Sequence, residues 1–351
     1  SVQQTSTRPT APISMPLAHP ERIAIIGAGL SGLSCANALV NSGASVRVYD
    51  KGRGPGGRTS TRRAEVDGVE LSFDHGAQYF TVRDPRIESQ LRQWTRVGVA
   101  KQWEARVAVL ARDGAVESYS ERPRFVGTPT MSAICKHLAV DRDVRCGVTI
   151  SRIERHDGRI ALCDANANAL GTYDRVVCTA PPEQTAALLA DAVPELAARA
   201  REVVMKPCWA LMVAFDSPLD VPFDGAFIND GPLSWIARMG SKPFRPDQPD
   251  AWVIHASPDW STEHLEGSPE DILEALLGAF FRSVGRDARR PVYRSAHRWR
   301  FAIAEAPLAY GCLSDQQAQV VACGDWTNGN RVEGALLAGL NAAARITAEL
   351  A

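Results

Sequence analysis

The 351-residue sequence predicts an α/β fold with α+β elements, in which a parallel sheet wrapped by helices is interrupted by a second, mixed α/β region. Three observations predict it. A short apolar run, a glycine turn, a helical pattern and a second strand follow one another between Ile23 and Asp50. Apolar strand patterns return at Arg175–Thr179 and Val320–Cys323, far along the chain. The long stretches between them mix helical and strand periodicities with Pro-rich turns.

The elements follow in order. Ile23–Ile26 is continuously apolar and stops at Gly27, as a strand buried on both faces does. Leu33, Ala36, Leu39 and Val40 then recur at helical spacing until Gly43 offers a stop. Ser45–Tyr49 alternates into a second strand ending at Asp50, which completes one Rossmann-like βαβ unit. Val144–Ile153 and Arg175–Thr179 read as strands, the latter closing on Ala180-Pro181-Pro182. Trp209–Phe215 and Trp252–His255 read as strands, Ile272–Phe281 as a helix, and Pro243, Pro246 and Pro249 as an exposed loop. Val320–Cys323 is a last strand, and Glu333–Leu350 a long helix rich in Ala and Leu.

This pattern divides the chain. Residues 21–85, 141–182 and 310–351 form a discontinuous nucleotide-binding domain, and 86–140 with 183–309 a substrate domain. Residues 1–20, rich in Pro, Ser and Thr, read as a disordered leader in which Met15 offers an alternative start.

Composition excludes several classes. Lys+Arg 39 against Asp+Glu 40 leaves no positive field for nucleic acid or a membrane surface. Ile23–Val46 carries no charge, but its four glycines and its Ser and Asn residues argue against a membrane span. The eight cysteines show no C-x-x-C, which fits reduced thiols in the cytoplasm. Neither they nor the seven histidines show metal-ligand spacing.

Three clusters carry chemistry. In Gly27-Ala28-Gly29-Leu30-Ser31-Gly32, the first glycine permits the tight turn, the second lets the backbone approach a pyrophosphate, and the third lets helix and strand pack closely. Asp50 can accept from ribose hydroxyls and would repel a 2′-phosphate. A second glycine cluster, Lys51-Gly52-Arg53-Gly54-Pro55-Gly56-Gly57-Arg58, begins immediately after it. An NAD dehydrogenase needs nothing special there, whereas a larger cofactor could use the bare backbone and pair its pyrophosphate with Arg58. That points to FAD. In the third cluster, Cys323-Gly324-Asp325 followed by Arg331-Val332-Glu333-Gly334-Ala335, a carboxylate at a strand end can hold a ribityl hydroxyl. The helix start beyond it offers partial positive charge to the flavin's pyrimidine end.

These clusters resemble the flavin amine oxidases and related oxidoreductases. Asp74-His75-Gly76-Ala77-Gln78-Tyr79-Phe80-Thr81, Leu233-Ser234-Trp235-Ile236-Ala237-Arg238, Trp252-Val253-Ile254-His255-Ala256-Ser257-Pro258, Ala296-His297-Arg298-Trp299 and Cys323-Gly324-Asp325-Trp326 are more specifically similar to the bacterial renalases. The resemblance implies a p-hydroxybenzoate hydroxylase/amine oxidase-like architecture and non-covalent FAD. It further implies oxidation of 2- and 6-dihydroNAD(P) to NAD(P)+ by hydride transfer to flavin N5, with dioxygen reduced to hydrogen peroxide. By the same resemblance Leu30, Ser31, Asp50, Lys51, Arg58, Gly76, Ala77, Val148, Asp325 and Val332 contact FAD. Amine oxidases usually carry Glu where Asp325 stands, which counts against amine oxidation here.

Hydride loss turns a dihydropyridine into an aromatic pyridinium, so stacking at close range suffices and no general base is required. Gln78, Tyr79, Trp235, His255, His297, Arg298 and Trp299 are the candidates to line the pocket over the flavin, aromatic faces holding the nicotinamide and polar groups orienting its carboxamide. Lys206 stands near a strand start and is expected to face water rather than the flavin. A flavin amine oxidase and a flavin-binding redox sensor without turnover are the alternatives; the donor isomer and the oligomeric state stay open.

Overall fold

The computed structural model describes residues 19–351, and the expected leader lies almost wholly outside them. The chain begins β1 (Arg22–Ile26), α1 (Leu30–Asn41), β2 (Ser45–Asp50), β3 (Arg62–Val66), β4 (Val69–Phe73) and α2 (Pro85–Arg96). It continues β5 (Ala100–Gln102), β6 (Val107–Leu110), β7 (Val116–Ser120), β8 (Phe125–Gly127), α3 (Ala133–Leu138) and β9 (Asp143–Cys146). Next come β10 (Ile150–His156), β11 (Arg159–Asp164), β12 (Ala169–Tyr173), β13 (Arg175–Cys178), α4 (Pro182–Leu189) and α5 (Pro194–Arg201). Then follow β14 (Met205–Phe215), β15 (Gly225–Ile228), β16 (Leu233–Arg238), β17 (Asp250–Ala256), α6 (Pro258–Glu263) and α7 (Pro269–Val284). The chain closes with β18 (Tyr293–Ala304), β19 (Leu313–Asp315), β20 (Val320–Ala322), α8 (Asp325–Asn328) and α9 (Val332–Leu350).

Two large sheets carry the fold. The first has the order β19-β20-β13-β1-β2-β9, parallel throughout except for the β19 edge. Its central strand is the apolar run read from sequence, with Ile23, Ala24 and Ile25 fully buried. Helices α1 and α9, the first and last of the chain, pack against each other here. Ser31 and Ser34 hydroxyls donate to the Ala335 and Leu336 carbonyls, and a Cβ on Gly339 would lie 2.3 Å from the Ser31 carbonyl oxygen. Only glycine permits that approach.

The second sheet, β18-β14-β17-β16-β15-β6-β7, is antiparallel except for the β15–β6 pair. Helix α7 covers one face, burying Phe280 and Phe281 against Phe215 and Trp252. It starts three residues before the apolar pattern read as helical. Ser268 caps the Asp271 amide, Pro269 fits the first turn, and Gly285 at φ 64 closes the end.

Two readings need correction. Val144–Ile153 is not one strand: Gly147, at φ 72, turns the chain so that β9 joins the parallel sheet and β10 starts a separate three-stranded one. Nor is the Pro-rich loop wholly exposed, because Lys242, Arg245 and Pro249 are buried while Phe244 projects outward. Among the described residues no helix is long and apolar enough to cross a membrane.

Candidate active site

The two glycine clusters meet at the carboxyl ends of the parallel strands. Gly27 turns at φ 110, and a Cβ on Gly32 would stand 1.8 Å from the Gly27 carbonyl oxygen, so both positions require glycine. Asp50 joins the loops, its carboxylate accepting from the Ala28 amide at 3.0 Å and the Gly52 amide at 2.8 Å. The Gly56 amide donates to Ala28 at 3.0 Å, and Gly57 lies against Gly29. Val148 reaches the same place by donating to the Asp50 carbonyl at 2.9 Å. Lys51 is exposed beside it.

Distant segments complete the cradle. Arg58 donates to the Ala302 carbonyl at 2.8 Å and pairs with the Asp325 carboxylate at 2.6 Å. Ala77 donates to the Arg58 carbonyl at 2.9 Å, and a Cβ on Gly76 would sit 1.9 Å from that oxygen. Helices α1 and α9 both begin without a side-chain cap, at Leu30 and Val332, and Gly324 leads extended backbone into Asp325. Bare backbone, uncapped helix starts and a carboxylate with lone pairs to spare are what an extended dinucleotide requires, so these residues fit FAD. Glu333 needs correction. Its carboxylate accepts from the Arg83 amide at 2.5 Å and the Asp84 amide at 3.2 Å, which commits it to the start of α2 instead of a cofactor.

Facing the Gly76–Ala77 segment, the antiparallel sheet presents aromatic and imidazole side chains. The His75 carbonyl accepts from both His255 Nε2 at 2.9 Å and Trp299 Nε1 at 3.0 Å. The His75 ring lies 4.7 Å from that of His297 and 4.9 Å from that of Trp299, and the His297 and Trp299 rings are 4.5 Å apart. A second group adjoins it along the same segment. Gln78 Oε1 accepts from Trp235 Nε1 at 3.3 Å, the Tyr79 and Trp235 rings are 5.4 Å apart, and the buried Arg124 guanidinium covers Tyr79 at 5.0 Å.

Arg298 belongs to neither group. Successive side chains on a strand point to opposite faces. Ser295, His297 and Trp299 of β18 face the cluster, whereas Arg298 turns over Trp209 and donates to the Leu265 carbonyl at 2.8 Å. Lys206 likewise lies apart, paired with Asp259 at 2.8 Å.

Beneath the cluster sits an ionic group that the sequence reading missed. Asp74, wholly buried, accepts from Lys242 at 3.1 Å, Arg245 at 2.7 Å, the Thr61 hydroxyl at 2.9 Å and the Met131 amide at 3.1 Å. Burial pushes its carboxyl up, but the two cations outweigh that and hold it at about 2. Lys242 also donates to the Gln78 carbonyl at 2.7 Å, and burial brings its ammonium down to about 8 despite Asp74. The imidazoles are held neutral. Burial, reinforced by His297, Arg62 and His255, lowers His75 to about 3; burial lowers His255 to about 4; burial and Arg62 lower His297 to about 4.

A dinucleotide cradle facing a surface lined by aromatic rings and neutral imidazoles defines a cofactor-dependent oxidoreductase. Comparison with known proteins names the family. The NAD(P)-binding Rossmann-like domain matches residues 25–94, and the flavin containing amine oxidoreductase family matches residues 105–347. The chain belongs to that flavin containing amine oxidoreductase family, an enzyme family whose cofactor is FAD.

Among curated relatives, an L-amino-acid oxidase from Bothrops moojeni is 31% identical over 121 residues, which are 31% of this chain and 24% of the relative. A zeta-carotene-forming phytoene desaturase from Myxococcus xanthus is 47% identical over 47 residues, 13% of this chain and 9% of the relative. The chain thus matches a quarter or less of the length of these relatives. Among solved structures, putrescine oxidase bound to putrescine aligns with a TM-score of 0.66 at 14% identity, covering 94% of this chain and 99% of that one. An oxidoreductase from Methanosarcina mazei aligns at 0.68 and 14% identity, covering 91% and 99%. At such identities these structures speak for the fold alone.

Proposed function

We propose that the chain is a FAD-dependent oxidase of isomeric dihydronicotinamides, as its resemblance to the bacterial renalases implies. The overall reaction is a 2- or 6-dihydroNAD(P), dioxygen and a proton giving NAD(P)+ and hydrogen peroxide. Bound FAD supplies a two-electron acceptor that passes the pair to dioxygen. The observation that carries this reading is the neutral cluster of His75, His255, His297 and Trp299.

An ammonium needs a carboxylate or other acceptor, and the buried carboxylate of Asp74, next to His75 in the chain, is already matched by Lys242 and Arg245. A flat uncharged ring needs only aromatic faces and a few polar contacts, which Trp299, Tyr79, Trp235 and Gln78 would supply in the proposed pocket. Oxidation of the dihydropyridine ring requires no base, so neutral imidazoles serve for orientation. The eight free thiols fit a reducing cytoplasm.

Oxidation of an amine is the competing reading, favoured by the family match and the L-amino-acid oxidase relative. Anaerobic stopped-flow reduction separates the two. Rapid bleaching of the flavin by 2- or 6-dihydroNAD(P), with little by primary amines or amino acids, is expected. Bleaching by amines alone overturns the proposal in favour of the competitor.

A further inference from the structure

Arg62, on β3, is outside every motif read from sequence, yet its guanidinium reaches the active-site face of β18. One Nη lies 3.1 Å from the Ser295 hydroxyl, and the other lies 3.2 Å from His297 Nδ1. A guanidinium carries only donors and keeps its proton at any ordinary pH. The nitrogen it meets must therefore present a lone pair. A proton on Nδ1 would set N–H against N–H, so the single proton of neutral His297 resides on Nε2. That makes His297 an obligate donor at Nε2, where no acceptor meets it among the described residues.

The neighbouring ring supplies a second, independent observation. His75 is 4% exposed, stands edge-on to His297 at 4.7 Å, and its buried Nδ1 has no hydrogen-bond partner. Unpaired buried polar atoms are costly unless a ligand meets them. The groups around this corner are Arg62 from β3, His75 from the segment after β4, His255 from β17 behind His75, and Trp299 from β18 itself. None of them is an anion.

We propose that Arg62 is a positioning residue that locks His297 as an Nε2–H donor, and that the His297–His75 corner thereby selects electron donors bearing a carboxamide or similar carbonyl over donors bearing an ammonium. The assignment of Arg62 stands on geometry alone; the carboxamide rests on the function proposed above. An ammonium meets the Nε2–H donor of His297 and the like charge of Arg62 behind it, with no anion to offset them. A carboxamide finds a donor for its oxygen and an imidazole nitrogen near its amide.

The test uses the FAD-loaded enzyme with 15N-labelled histidine, in wild type, Arg62→Met and Arg62→Lys, with His297→Asn to assign the signal. The flavin spectrum checks that each variant folds. In wild type, His297 should show a pyridine-type Nδ1 and a pyrrole-type Nε2 from pH 6 to 8. Arg62→Met should mix the tautomers and raise the His297 titration midpoint by roughly one pH unit or more, once a half-buried like charge has gone. Arg62→Lys should keep the wild-type tautomer. An unchanged tautomer and midpoint in Arg62→Met overturns the positioning role.

The kinetic arm compares the N-methyl 2- or 6-dihydronicotinamide with the same dihydropyridine lacking its carboxamide. Loss of one oriented hydrogen bond should raise KM for the first about tenfold in Arg62→Met, with kcat nearly unchanged and the second donor unaffected. Equal effects on both donors overturn the selectivity. If wild type is reduced by neither of these donors nor by 2- or 6-dihydroNAD(P), the proposed function fails, while the tautomer measurement still decides the role of Arg62.

Discussion

The neutral imidazoles make the fold sensitive to mild acid, by an amount the structure allows to be worked out. His75 and His255 are held at about 3 and about 4, against 6.5 for an unhindered imidazole. As pH falls through 6.5, the unfolded chain takes up protons at these positions and the folded chain does not. Their depressed values therefore favour unfolding progressively between pH 6.5 and about 4. At pH 5 the gap to 6.5 is about 1.5 units for each residue, or roughly 2 kcal/mol apiece at about 1.36 kcal/mol per unit. His297 acts in the same direction. A loss of about 4 kcal/mol is a large part of the roughly 5–15 kcal/mol that holds a typical domain together. The assay is urea unfolding of the FAD-loaded protein, followed by tryptophan fluorescence at pH 7, 6 and 5, in wild type and His255→Gln. The glutamine can still donate to the His75 carbonyl but does not titrate. The wild type should lose about 4 kcal/mol from His75 and His255 between pH 7 and 5, with up to about 2 kcal/mol more from the less buried His297, and the variant about 2 kcal/mol less than the wild type. A wild-type midpoint that stays flat, or an identical drop in both proteins, refutes the reasoning.

Two further outcomes follow from the ionic contacts. Asp74→Asn leaves Lys242 and Arg245 buried without a counter-charge, and urea unfolding should register a loss of roughly 3–5 kcal/mol; a loss below about 1 kcal/mol would show that the buried pair is relieved by water. Arg58→Ala and Asp325→Ala each break the 2.6 Å pair that joins the second glycine cluster to α8, and each should weaken FAD retention on gel filtration by roughly 10–100-fold; full yellow colour in both variants would count against the cofactor placement.

The βαβ unit was legible because its signals are local: strand, turn, helix and acid lie within one short window around Gly27–Asp50. The chain's return at Arg175 and Val320 was legible for the same reason, and these segments pair with β1 and with each other as parallel strands. The face of β18 is written in the sequence too, although the pocket candidates took residues from both of its faces. Tyr293, Ser295, His297 and Trp299 alternate with Arg294, Arg298 and Arg300, a period-two pattern that places the arginines on the opposite side from the cluster. Arg298 is a candidate for the polar group that orients a carboxamide, but its place between His297 and Trp299 on a strand puts it on the opposite face.

Lys242 and Arg245 were not legible. They sit among prolines and polar residues and look solvated, and the carboxylate that draws them inward lies 168 and 171 positions away. Arg62 is separated from His297 by 235 positions. No periodicity within a window reports such pairs, because their burial is decided by how the two sheets meet.

The contact between α1 and α9 has a consequence for biosynthesis. A ribosome releases Ser31 and Ser34 hundreds of codons before Ala335 and Leu336, the carbonyls that complete them, so the glycine-rich loop has to wait through most of translation without its final support. The nascent chain can shape its first strands early, but tight uptake of coenzyme belongs to the moments after the last helix has emerged. Removing that helix should therefore leave a colourless, unsettled polypeptide rather than a shortened flavoprotein.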